Sequence, residues 1–232
     1  MSYIYTSIEK NELNSNFMKS WKAFIEKNYF SAVLIGQDVA PKFKQKYPNE
    51  FGVTEDKRLT YISESNAKEL IEKPIWDDER KSSRYIGNAI NKIIDYTACS
   101  PYYLQMFCAR VVDYMNRKKA ISVTESDIEE IANSFIEGTE CLAKDKFDNL
   151  FTAGDADIET FDLDDIENIL IQIAKKTNIG SCSRNDIVSE NREAKDIDDI
   201  LEDLKRREVI EQKNNFYQIK VGLFKKWLLK QS

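Results

Sequence analysis

The chain has 232 residues, 42% of them hydrophobic, with only seven glycines and four prolines, so it can bury a core and is not a disordered tail. Its net charge of -6 has the wrong sign for non-specific attraction to phosphate, and the absence of histidine excludes Ser-His, Cys-His and His-metal chemistry. No apolar run approaches the roughly 18–20 residues that a membrane span needs.

The start, MSYIYTSIEK, lacks the basic stretch and small-residue cleavage site of a secretory signal. Phe17, Trp21, Phe24 and Ile25 recur at helical spacing behind Ser15 and predict an amphipathic helix over about 15–29. SAVLIGQD (31–38) is a continuous apolar run closed by Gly36, the pattern of a buried central strand of a parallel sheet. Such a strand with unpaired edges needs cover, either from the chain's own helices or from a second copy. RLTYIS (58–63) is a second, briefer strand candidate.

From there the pattern is helical. NAKELIEK (66–73) stops at Pro74, and RYIGNAINKIIDYT (84–97) sets Ile86, Ile90, Ile93 and Ile94 on one face. YTACSPYYLQMFC (96–108) places Pro101 at a first helical position behind Ser100, a residue suited to cap it, and the helix continues through Val111 and Met115. TESDIEEIANSFI (124–136) opens with Thr124 and Asp127 at the spacing of a capping box, with Asp in place of the preferred Glu.

Residues 138–162 carry Gly138, Gly154 and a rising acidic density, and predict a connection with at most one irregular helix. Then LDDIENILIQIAKKT (163–177) is amphipathic, SRNDIVSEN (183–191) is short, and DIDDILEDLKRR (196–207) is amphipathic again. VIEQKNNFYQIK (209–220) alternates about Asn214-Asn215, a dipeptide that turns a hairpin, and LFKKWLLK (223–230) closes as a helix. Helix, short helix, helix, hairpin is the order of a winged helix-turn-helix.

No glycine stands immediately before a lysine, and no pair of them has the spacing of a P-loop or a dinucleotide fingerprint. Cys99, Cys108, Cys141 and Cys182 are scattered without a CxxC pair, which argues against zinc or redox chemistry and for a reduced cytoplasm. Asp155, Asp157, Asp162, Asp164 and Asp165 read as a solvated acidic linker, a poor catalytic pair. The chain is therefore expected to be no autonomous enzyme.

Taken together, the pieces resemble one family. MSYIYTSIEK is similar to the Tyr-rich segment that follows the metal-site strand of STAND-type P-loop ATPases, archaeal and bacterial relatives of the AAA+ proteins. SNFMKSWKAFIEKNYFSAVLIGQD resembles their helix and sensor strand, and RLTYISESNAKELIEKPI their next strand and first lid helix. YTACSPYYLQMFC resembles a Gly-x-His-Pro-Tyr-Tyr-Leu-Gln type motif, with Ala98, Cys99 and Ser100 where the glycine usually stands, and FYQIKVGLFKKWLLK the end of the winged helix. The resemblance implies a mainly α fold: a remnant of an α/β P-loop core with its sensor strand (1–55), a helical lid (56–137), an acidic linker (138–162) and a C-terminal winged helix (163–232). It also implies that the P-loop and metal-site acid are missing here. The chain itself then needs no cofactor, and ATP and Mg belong to an intact parent. In such a parent Pro101 and Tyr102 would face the adenine and Gln37 with Asp38 would follow the sensor strand. A plain reading of Pro101, as the start of a core helix, stands beside this one.

Two functions follow as expectations. The first is the regulatory lid and winged-helix half of a nucleotide-switched ATPase, acting in the cytoplasm through protein contacts with the missing core, with other copies of itself or with a signalling partner. The alternative is a winged-helix module that binds duplex DNA. Lys205, Arg206, Arg207 and Lys213 form a basic set for the second, joined by Lys220, Lys225, Lys226 and Lys230, whereas Asp196, Asp198, Asp199, Glu202 and Asp203 would repel phosphate.

Overall fold

The computed structural model describes residues 2–231 apart from 15, 36–39, 53, 56, 58, 59, 139, 140, 153–160 and 188–193. The chain is mainly helical and carries one small three-stranded antiparallel sheet among the described residues. Two compact units arise, Met1–Arg58 with Asp148–Leu163, and Leu59–Phe147 with Asp164–Ser232.

The first unit opens with α1 (Ser2–Glu9), α2 (Phe17–Glu26), α3 (Ala40–Lys46) and α4 (Pro48–Phe51). Phe17 and Trp21, one turn apart on α2, pack against a small core of Ile8, Met18, Phe43 and Phe51. The Phe43 ring meets those of Tyr5, Tyr47 and Phe51 at centroid distances of 5.2, 5.4 and 5.0 Å. The strand expected from residue 31 onward does not form. Residues 31–35 are irregular, Leu34 alone reaches the core, and Val33 and Ile35 are 88% and 82% exposed. The physical reason is plain: an apolar run becomes a central strand only where neighbouring strands take up its N–H and C=O groups, and the surrounding described elements are helices.

In the second unit Ser63 caps α5 (Glu64–Glu72) through its hydroxyl, which accepts from the Asn66 N–H, and a 3-10 turn (Lys73–Ile75) absorbs Pro74. The strand candidate that ended at Ser63 is also irregular over 60–63. The next helix, α6 (Ala89–Thr97), starts five residues later than expected. Residues 84–86 instead hydrogen-bond along Val123, so Ile86 is 51% exposed and the buried face is Ala89, Ile93 and Thr97. Next come α7 (Pro101–Lys118) and α8 (Glu125–Ser134). The predicted capping box is present: the Thr124 hydroxyl accepts from the Asp127 N–H, and the Asp127 carboxylate accepts from the Thr124 N–H.

The connection holds a 3-10 turn (Lys144–Phe147) and α9 (Asp148–Phe151). Then follow α10 (Leu163–Ile179), β1 (Cys182–Ser183), α11 (Arg184–Ile187), α12 (Ala194–Arg206), β2 (Ile210–Lys213), β3 (Phe216–Ile219) and α13 (Gly222–Gln231). The sheet runs β1-β3-β2, with Cys182 opposite Tyr217 and Ile210 opposite Ile219. Asn214 and Asn215 turn the hairpin with φ of 49° and 68°, the left-handed pair that a two-residue turn requires.

Phe147 lies between Tyr103, Phe224 and Trp227 at 5.9, 5.1 and 5.4 Å, and the Trp227 indole N–H donates to the Leu142 carbonyl. Gly222 lets α13 begin against α6, because a Cβ there would sit 2.5 Å from the Asp95 carbonyl oxygen.

Candidate functional site

The corner between α6 and α7 carries the residues read as nucleotide-facing. Ala98 and Cys99 both adopt left-handed backbone, with φ of 52° and 61°, a conformation that costs an ordinary residue roughly 1 kcal/mol. The corner is held from several sides: Ala98 N–H donates to Ile94 O (2.7 Å), Ser100 N–H to Thr97 O (2.9 Å), and Ile62 N–H to Cys99 O (3.0 Å). Ser100 has the extended backbone of a cap, but its hydroxyl accepts no bond from α7, which corrects the expected capping. Pro101 occupies the first turn. Tyr102 is half exposed and meets the buried Tyr103 ring edge-on at 5.1 Å. Burial pushes the Tyr103 phenol up, and its hydroxyl donates to Lys146 O. The Cys99 thiol is raised by burial and then by Glu64, against the pull of Lys220 and Lys68. Gln37 and Asp38 lie outside the described residues.

A second corner, between α12 and β2, joins the first through a short strap. The Tyr61 hydroxyl donates to Glu208 O at 2.9 Å, while its neighbour Ile62 holds Cys99. Lys220 lies 3.7 Å over the Tyr61 ring and 3.4 Å from the Glu208 carboxylate. Glu208 is itself left-handed (φ 60°), and its Oε2 is buried without a hydrogen-bond partner. Sequence reasoning missed this cluster, because nothing local signals a contact between residues 147 apart.

The hairpin end carries the residues read as nucleic-acid-facing, and their charges are engaged internally. Lys205 pairs with Glu202 at 2.5 Å and also donates to Gln212, Arg206 pairs with Asp203 at 2.5 Å, and Lys213 pairs with Glu211 at 2.9 Å. Arg207 turns inward: its side chain is 1% exposed and bonds Asp203 at 2.8 Å, so it is not a surface cation. The other lysines follow suit. Lys225 donates to Thr177 O, Lys226 pairs with Glu129, and Lys230 donates to Ile136 O. Arg184 on α11 grips Asp198 on α12 through two bonds of 2.6 and 2.9 Å, and holds that carboxyl below its usual range. Asp199 and Glu202 remain exposed on α12.

A cavity of about 260 Å³ opens between α5 and α7, lined by Leu70, Ile71, Pro74, Leu104 and Val112 among others, with Tyr85, Gln105 and Cys108 as polar groups. Burial pushes the Cys108 thiol up to about 11, a value that leaves it protonated and unreactive near neutrality. Among the described residues no group of three or more His, Cys, Asp or Glu is placed to hold a metal ion, and no helix is long and apolar enough to cross a membrane. No protein-family model matches the chain, and no curated protein or solved structure matches it either.

Proposed function

We propose that the chain works by contacting protein, as the lid and winged-helix part of a nucleotide-switched ATPase of the STAND type. The element order from α10 to α13, with its β1-β3-β2 sheet, supports the winged-helix reading of 163–232. The Pro101 corner supports the lid reading in that α7 begins at Pro101 and the half-exposed Tyr102 offers a flat ring beside it. Ala98, Cys99 and Ser100 depart from the family's glycine and weigh against a close approach to a nucleotide. With no phosphate-binding loop in its residues, the chain would not turn over ATP by itself.

The observation that carries protein contact over DNA contact is the internal pairing of the hairpin-end cations, beside an α12 surface that shows carboxylates. A phosphate backbone would have to break these pairs and approach Asp199 and Glu202. Fluorescence anisotropy with a labelled duplex near physiological salt is expected to show no sub-micromolar binding. Sub-micromolar binding that is lost on Lys205→Ala, Arg206→Ala and Lys213→Ala together would overturn this in favour of a DNA module. Arg207 is left intact in that variant because its role is inside the fold.

A further inference from the structure

Two helices of the second unit end in left-handed residues that are not glycine. Ala98 and Cys99 follow α6 with φ of 52° and 61°, and Glu208 follows α12 with φ of 60°. Glycine takes this conformation freely at a helix end, whereas a Cβ makes it strained. Glu208 also has its Oε2 buried with no hydrogen-bond partner among the described residues, a second cost at the same place. Such strain persists only where the surroundings hold it.

One short strap holds both corners. The Tyr61 hydroxyl donates to the Glu208 carbonyl oxygen at 2.9 Å, and the next residue, Ile62, donates its N–H to the Cys99 carbonyl oxygen at 3.0 Å. Lys220 seals the arrangement, 3.7 Å from the centre of the Tyr61 ring and 3.4 Å from the Glu208 carboxylate. The Lys220 and Glu208 side chains are 26% and 36% exposed, so both can turn outward into water. The ring cluster of Phe147, Phe224 and Trp227 contains none of these residues.

We infer that the Tyr61–Ile62 strap is a latch that opens as one unit, freeing the Glu208 and Cys99 corners together while the Phe147 core stays closed. Opening costs the two strap bonds and the Lys220 contacts. It returns the Glu208 carboxylate to water and lets both helix ends relax, so it costs less than global unfolding. By linkage, whatever loosens one corner loosens the other. The latch rests on bonds inside the second unit and stands apart from the reading of what either corner contacts.

Native-state hydrogen exchange on the full chain, followed residue by residue by NMR, measures this. The reporters are the N–H groups of Ile62, Ser100 and Lys220, which bond Cys99 O, Thr97 O and Val209 O. They are expected to share one opening constant, at least about tenfold above that of the amides in the middle of α7. Tyr61→Phe removes only the hydroxyl and should speed all three about fivefold, the worth of one hydrogen bond. Ala98→Gly relieves the opposite corner and should slow the Lys220 amide about two- to fivefold. Three results would each overturn the inference. In the first, Tyr61→Phe fails to speed Ile62 and Ser100 along with Lys220. In the second, the reporters exchange no faster than the middle of α7, so that the strap opens only with the whole fold. In the third, the Lys220 amide is indifferent to Ala98→Gly.

Discussion

Ala98 stands in a backbone conformation that suits it poorly. Its φ of 52° is one that alanine avoids because its Cβ crowds the following carbonyl, and it persists because the Ala98 N–H is bonded to Ile94 O and the next residue is tied to Ile62. Glycine carries no such penalty, so Ala98→Gly is expected to stabilise the chain by about 0.5–1 kcal/mol, read as a higher urea midpoint at unchanged slope. A lower midpoint would mean that the Ala98 methyl group packs to more effect than the strain costs. Cys99 shares the conformation but is buried, so removing its side chain would add a cavity to the comparison.

At the level of elements, α13 and α6 approach so closely that only glycine fits at the start of α13. Gly222→Ala would drive a Cβ to 2.5 Å from the Asp95 carbonyl oxygen, a backbone atom that cannot swing aside. The expected loss is about 1–3 kcal/mol, checked by chemical denaturation, and a neutral result would show that the two helices separate at little cost. Most helices were readable because Phe17 and Trp21, or Val111 and Met115, recur at the spacing of a helix face and are read without knowing their neighbours. Asn214-Asn215 was readable for the same local reason: both residues tolerate positive φ. What stayed hidden depends on partners. An apolar run such as 31–35 looks alike whether or not strands flank it, and Arg207 counts as a surface cation until Asp203 is seen to draw it inward. Tyr61 gave no hint of Glu208.

At the scale of the whole molecule, the carboxyl groups among the described residues that are clearly held below their ordinary values fall in the second unit. The Tyr96 hydroxyl, followed by Lys92 and Lys226, holds Glu129 down from 4.5, the Thr124 hydroxyl lowers Asp127 from 3.8, and Arg184 does the same for Asp198. A carboxyl with a depressed folded-state value adds stability that is present above its ordinary value and is lost as pH falls through the depressed one. The melting temperature should therefore hold from pH 7 to about 5 and fall between about 4.5 and 3, less steeply in Glu129→Gln with Asp198→Asn. A melting temperature unchanged down to pH 3 would contradict this. The core around Phe147 has a consequence for how the protein is made. Phe147 leaves the ribosome 80 residues before Trp227, the ring it packs against at 5.4 Å. At about 5–20 residues per second, that is roughly 4–16 s of synthesis during which Tyr103, Phe147 and the apolar face of α6 have no α13 to cover them. The second unit therefore cannot close its core until α13 has been made, and a chaperone that binds apolar chain has several seconds in which to meet it.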